Sequence, residues 1–455
     1  MKAQRGKHRT QSKTRIGTSA RIHLSICLQH AIGMNRQELN TVVDGLQEDL
    51  VELTCDLIRF PTLCSTAQSY PEITRFINGK LVELGIEVQT IEVPREKLVK
   101  EWGENLEKSK KYIAVEQFGQ RSIVLGHWKG QNDHPSLHLN THYDVAGARG
   151  NPFEPEIRDG KIFGKGASNP KSDIACMITA VRALKKARTE FKGDLYLSFC
   201  PDADLGGDTG AGYLVEKGLG KSDMVIASFM GGTDTITLGC KGDLWFEITA
   251  YGKRVHSSEP DLGINPIAAM VKVEQAIIEL DQKFKSGSRS RWTIVPSESS
   301  RPTVSICKIF TEGHFIPDKC VMHVNRRVSP DETMDQARQE FLETLKRVER
   351  ENKDLKLSVE EVHTVDNPVA STDSLLVKTL SKNIRDIVGV EPKEIVRAWY
   401  TDGRLFSTGW NSQTVNYGPG RDFFYFPGDY VSIQDLVSAT KVLAHTVLDL
   451  IGEDS

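Results

Sequence analysis

At 455 residues, the chain is too long for one ordinary domain and carries ample material for a core. A formal net charge of -3 on an ordinary soluble composition removes the usual reasons to expect nucleic acid or a membrane surface as a partner. Eight cysteines, scattered without a CxxC pair, read as reduced thiols of a cytoplasmic protein.

The first 34 residues hold Lys2, Arg5, Lys7, Arg9, Lys13, Arg15 and Arg21 with no acidic residue, and are expected to be disordered. They read either as an organelle presequence or as an over-extended start before Met34. The apolar patch IHLSICLQHAIGM is too short and too polar to span a bilayer. From Asn40 to Gly242, helical patterns alternate with the apolar strands SLHLNTHYDV, DLYLSFCPD and DMVIASF, which predicts an α/β layer with a largely parallel sheet. From Asp243 the order becomes LWFEITAYG (strand), NPIAAMVKVEQAIIELDQKF (helix), TVSICKIF and CVMHVNRRV (strands), DETMDQARQEFLETLKRVEREN (helix) and LKLSVEEVHTV (strand). That is a β-α-β-β-α-β unit, ferredoxin-like, and it ends at 365. The α/β pattern then returns for 366–455, so the smaller unit 243–365 reads as an insertion into the α/β unit formed by 35–242 and 366–455.

His142 and Asp144, in LNTHYDV, lie at the end of an apolar strand, where α/β folds place functional groups. Two residues apart in an extended chain, they share a face, so Asp144 is placed to orient the imidazole. On these two residues alone, metal ligation and a capped structural histidine are both open. Downstream follow the glycine-rich GKGASNPKSD turn into a helix, the loop PDADLGG, GKRVHSSEP in the inserted unit, and YGPG near the end. Cys200 reads as the end of a buried strand.

This ordered set resembles the M20 family of zinc amidohydrolases and peptidases, which includes acetylornithine deacetylase, succinyl-diaminopimelate desuccinylase and aminoacylase. The resemblance covers nearly all of the chain after Met34. It implies two zinc ions at the strand ends of the α/β unit, with the insert serving as lid and dimerisation domain. Carried over residue by residue, His142 matches a zinc ligand and Asp144 the acid that orients it, while Asp204 matches a second ligand. Three further ligand positions hold Asn169 (the bridging aspartate), Met230, and Phe426 or its neighbour Tyr425. The general-base position holds Ala203.

On the substrate side, the resemblance assigns the lid residue His256, the carboxylate-gripping Arg327, and Arg404 and Gly418 of the α/β unit; His314 stands where the family has asparagine. The expectation is a protein with this fold that keeps a pocket for a carboxylate-bearing acylamino acid or peptide-like ligand. It would lack dizinc hydrolysis, with no cofactor expected and zinc only if the site is rebuilt. An active amidohydrolase or acyl transferase with a rebuilt site is the first alternative. A structural partner of an active paralogue is the second. A homodimer through the lid is the expected assembly.

Overall fold

The computed structural model describes residues 36–103, 119–131, 135–147, 152–312, 315–352, 355–421 and 428–452. The basic tail, His314, Tyr425 and Phe426 lie outside them.

The strands in chain order are β1 (Glu87–Glu92), β2 (Ser122–Trp128), β3 (Leu137–His142), β4 (Glu156–Arg158), β5 (Lys161–Phe163), β6 (Leu195–Cys200), β7 (Met224–Ala227) and β8 (Thr235–Cys240). They continue as β9 (Gly242–Tyr251), β10 (Ile294–Val295), β11 (Thr303–Phe310), β12 (Lys319–Val328), β13 (Lys356–Val365), β14 (Lys393–Arg397), β15 (Gln413–Asn416) and β16 (Tyr430–Ser432). A nine-stranded sheet runs β1-β2-β6-β3-β7-β15-β8-β14-β10. Its centre, β6-β3-β7-β15, is parallel, as expected for strands separated by helices. β3 is buried at every position, the signature of a strand covered on both faces. One face packs on the helices Lys171–Lys186 and Ile433–Ile451 through Ile174, Ile178, Leu139, Leu197 and Val442. The other packs Ile123, Val225 and Leu214 against Phe406 and Trp410.

A second, four-stranded antiparallel sheet, β11-β12-β9-β13, has the ferredoxin-like order, and its core is its own. Leu244, Phe246, Ile248 and Ala250, alternating along β9, face Val273 and Ile277 of the helix Pro266–Ser286 and Phe341 and Leu345 of the helix Met334–Glu351. Caps set where these helices start. Asn265 accepts from the Ile267 N–H at 3.0 Å, and Thr333 with Gln336 forms a reciprocal capping box.

One segment departs from the sequence pattern. Between the helix Pro266–Ser286 and β11, the chain leaves the smaller sheet, and β10 joins the edge of the nine-stranded sheet parallel to β14. Two residues have no readable period, so this strand is invisible to pattern analysis. Buried Lys241, at the crossing between the sheets, donates to the carbonyls of Ser299 (3.2 Å) and Arg301 (2.7 Å) of the same segment.

Candidate functional site

The carboxyl ends of β3 and β6 lie side by side, with His142 opposite Cys200. This register brings the loop after β3 against the loop PDADLGG after β6. Asp144, fully buried, accepts from the Ala203 N–H (3.1 Å) and the Asp204 N–H (3.0 Å), and its Oδ1 lies 3.1 Å from His142 Nδ1. The orienting contact expected from the two-residue spacing is therefore present, and Nε2 of His142 is the ring nitrogen left over.

The acidic pair of PDADLGG splits. Asp202 turns inward and is fully buried: it pairs with buried Arg121 at 2.9 Å and accepts from Tyr70 Oη at 3.1 Å and Thr209 Oγ1 at 2.8 Å. Asp204 turns outward and is exposed. Ala203 between them contributes only a methyl group and its N–H.

Around His142 stand more carboxylates than the motifs foretell. Burial pushes the imidazole down, but Asp144, through charge and hydrogen bond, with Asp204 and Asp402 behind it, outweighs burial and holds it up at about 9. Burial raises Asp173 to about 8 and Asp402 to about 6, each opposed by the His142 charge. For Asp204, lost hydration and repulsion from the Asp144 carboxylate raise the carboxyl to about 6. Lys171, fully buried, donates to Thr62 Oγ1 at 2.7 Å, and burial pushes it down to about 7 against the pull of Asp144.

Asp173 and Asp402 were not singled out from sequence. Asp173 lies in the first turn of the helix Lys171–Lys186, where an acidic residue is common in any helix and so gave no specific signal. Asp402, in TDGR, offered none. Oδ2 of each, and Oδ1 of Asn169, are buried without a hydrogen-bond partner among the described residues.

Gly418 sits against Asp173: a Cβ there would stand 2.1 Å from its Oδ1 and 2.9 Å from the Phe229 carbonyl. Met230 is buried, and its carbonyl accepts from Arg397 Nη2 at 2.9 Å.

Arg404, from the helix Gly403–Trp410, and Arg327, from β12 of the smaller sheet, both act on Tyr400. The Arg404 guanidinium lies 5.0 Å from the ring centre and donates to the Gly206 carbonyl at 2.8 Å. Burial raises the Tyr400 phenol, and both arginines pull it back. Arg327 is engaged within its own sheet, 3.3 Å from buried Asp243 and 3.1 Å from Asn325 Oδ1. Arg404 also lines a cleft of about 250 Å³ with Asp208 and Asp366, between the end of β13 and the helix Gly403–Trp410. His256 stands apart. It is exposed on the smaller unit, bonded to Ser258 and 5.0 Å from the Phe315 ring.

Residues 138–449 match Peptidase family M20/M25/M40. Among curated relatives, a succinyl-diaminopimelate desuccinylase of Nitrosomonas eutropha is 25% identical over 67% of this chain and 78% of its own length. An uncharacterized metallohydrolase of Methanocaldococcus jannaschii is 24% identical over 87% and 98%. Among solved structures, a tripeptidase from Staphylococcus aureus superposes with a TM-score of 0.67 at 15% identity, covering 89% of this chain and 98% of that one. A dinuclear metal-binding peptidase from Bacillus subtilis gives 0.61 at 19% identity, over 90% and 99%. No helix among the described residues is long and apolar enough to cross a membrane.

Proposed function

We propose that this chain, which belongs to peptidase family M20/M25/M40, binds a carboxylate-bearing acylamino acid or peptide-like ligand without the two-zinc hydrolysis its resemblance would imply. The observation that carries this reading is the donor set at the strand ends. A zinc pair needs a bridging anion and two or three further donors on each ion. The resemblance assigns the bridging position to Asn169, a neutral carboxamide, and a further ligand position to Met230, a buried thioether that a borderline cation disfavours beside oxygen and nitrogen donors. A dinuclear zinc centre is not supported by the residues at these matched positions. Ala203 has no group to take a proton from water, a loss worth about 10²–10⁴ in rate. Arg404, beside Tyr400 and the interdomain cleft, supports retention of the anion side of the pocket.

After incubation with excess zinc and removal of free metal, mass spectrometry is expected to find fewer than two zinc ions per chain. N-acyl amino acids and dipeptides are expected to remain intact above a chelator-treated blank. Ala203→Glu alone should change neither result. Two tightly held zinc ions per chain, with hydrolysis abolished by chelation, would overturn the reading.

The smaller unit supports a homodimer. On the helix Pro266–Ser286, Ile267, Val271 and Ile278 are exposed at spacings of four and seven, which places them on one face, and among the described residues β11 has a sheet partner on one side only. An isologous pairing of that face with its copy would cover both. Light scattering at micromolar concentration should give the mass of a dimer, and Val271→Asp should shift it to monomer. A wild-type monomer at that concentration refutes the assembly.

A further inference from the structure

The chain enters the smaller unit at 240–242 and leaves it at 365–369, and the segment 287–302 makes a further connection between the two units. It departs after the helix Pro266–Ser286, lays β10 along β14, and returns to begin β11. The larger unit holds its tip. The Val396 and Ala398 N–H groups donate to the Thr293 and Val295 carbonyls at 2.8 and 3.1 Å, Ile294 is buried, and Trp292 packs on the larger core. The smaller unit closes its base: the Ser290 N–H donates to the Ser300 carbonyl at 2.8 Å, Arg301 bonds Asp281 at 2.9 Å, and Arg291 lies 3.1 Å from Asp331. The segment is thus a strap from one unit to the sheet edge of the other.

Lys241 stands where the strap meets the first crossing. It is 1% exposed; its N–H donates to the Arg397 carbonyl of β14 at 2.9 Å, while its amine reaches the Ser299 and Arg301 carbonyls of the strap. The charged groups facing it are Arg326 and Arg327 from β12, Arg301 from the strap, and Glu332 from the turn before the helix Met334–Glu351. The acids beside these arginines are already engaged: Glu332 with Arg326 at 2.8 Å, Asp243 with Arg327 at 3.3 Å and Asp281 with Arg301. A further cation among three arginines is therefore disfavoured, whereas an uncharged amine still has protons to donate to both carbonyls. Burial, then repulsion from Arg327, Arg326 and Arg301, outweighs the pull of Glu332 and lowers the amine from 10.5 to about 7.

We propose that the strap 287–302 is a pH-sensitive latch between the two units, docked on β14 while Lys241 is uncharged and released when Lys241 takes up a proton. Both carbonyls that the amine reaches belong to the strap, so release leaves it to water, where it regains its ordinary basicity. Between pH 10.5 and about 7 the docked state then binds fewer protons than the released one, and falling pH favours release by about tenfold per pH unit. Below about 7 the amine is charged in both states and the effect levels off. Release leaves the units joined by the two crossings, with the cleft lined by Asp208, Asp366 and Arg404 free to widen. The latch works whatever the strand-end site binds.

The test is amide exchange of the full chain at Val396 and Ala398, the two N–H groups that the strap covers, expressed as protection factors so that the intrinsic pH dependence of exchange cancels. Both factors should fall about tenfold from pH 9 to pH 8 and become flat below about pH 7. Amides of β3, at the centre of the larger sheet, should not share that slope. Lys241→Met should raise protection at pH 7 and remove the slope. Lys241→Gln, which keeps donors for the two carbonyls without a titrating charge, should also remove it and serves if Lys241→Met proves unstable. Wild-type protection that stays constant from pH 9 to 7, a slope that survives in Lys241→Gln, or one shared by β3 would overturn the latch.

Discussion

Asp202→Asn is expected to destabilise the protein by about 3–5 kcal/mol, the cost of breaking a buried ion pair from one side. The reason lies in what each partner can do when left alone. Arg121, fully buried, cannot shed its charge, so the substitution leaves a guanidinium in the core, beside the carbonyls of Gly119 and Cys64 and the Tyr70 ring, without the Asp202 charge that balances it. Asp202 can take a proton: burial, opposed by Arg121, already raises it to about 6. Arg121→Ala should therefore cost less than Asp202→Asn. Because Asp202 also receives Tyr70 and Thr209, and its carbonyl accepts from the Leu205 and Gly207 N–H groups, the loss should spread into the loop that presents Asp204. Urea denaturation of both variants measures the order. A cost below about 1 kcal/mol for Asp202→Asn would mean the pair is not desolvated as described.

Acid is expected to weaken the fold through His138. Its Nδ1–H donates to the Gly220 carbonyl at 2.8 Å, and Nε2 accepts from Ser198 Oγ at 2.7 Å, whose own lone pair takes the Asn140 amide at 2.8 Å. Every group is matched only while the ring is neutral. Burial lowers the imidazole from 6.5 to about 4, partly offset by Gly220. A histidine whose folded value lies below its unfolded one contributes stability that is intact above pH 6.5 and lost as pH falls from there to 4. The full loss is about 3 kcal/mol. His445, lowered to about 4 by burial and by Arg36, acts in the same direction. The raised carboxylates at Asp173, Asp204 and Asp402 act in the opposite one, so the wild-type curve alone does not isolate the effect. The comparison with His138→Gln does. Its stability between pH 7 and 4.5 should fall less steeply than that of the wild type, and parallel curves would refute the assignment.

The alternation of apolar strands with helices was enough to predict the α/β layer, and the β-α-β-β-α-β order was enough to predict the smaller sheet, because each period reports which faces must be buried. Local spacing was likewise enough for the His142–Asp144 contact, which depends only on the pleat of one strand. What neighbouring residues in sequence could not convey was which of two similar aspartates, two residues apart in one loop, faces the site. Asp202 is drawn inward by Arg121, eighty-one residues away, and Asp204 is left outside. The same holds for Cys64, which meets Asp144 and Asp204 only after β3 and β6 have paired, and for β10, which is too short to have a period and exists because β14 has an open edge beside it. Local sequence determined which segments would bury a face. Partners distant in the chain decided which charges ended up together, since a buried charge is tolerated only where an opposite charge or a full set of hydrogen bonds is brought to meet it.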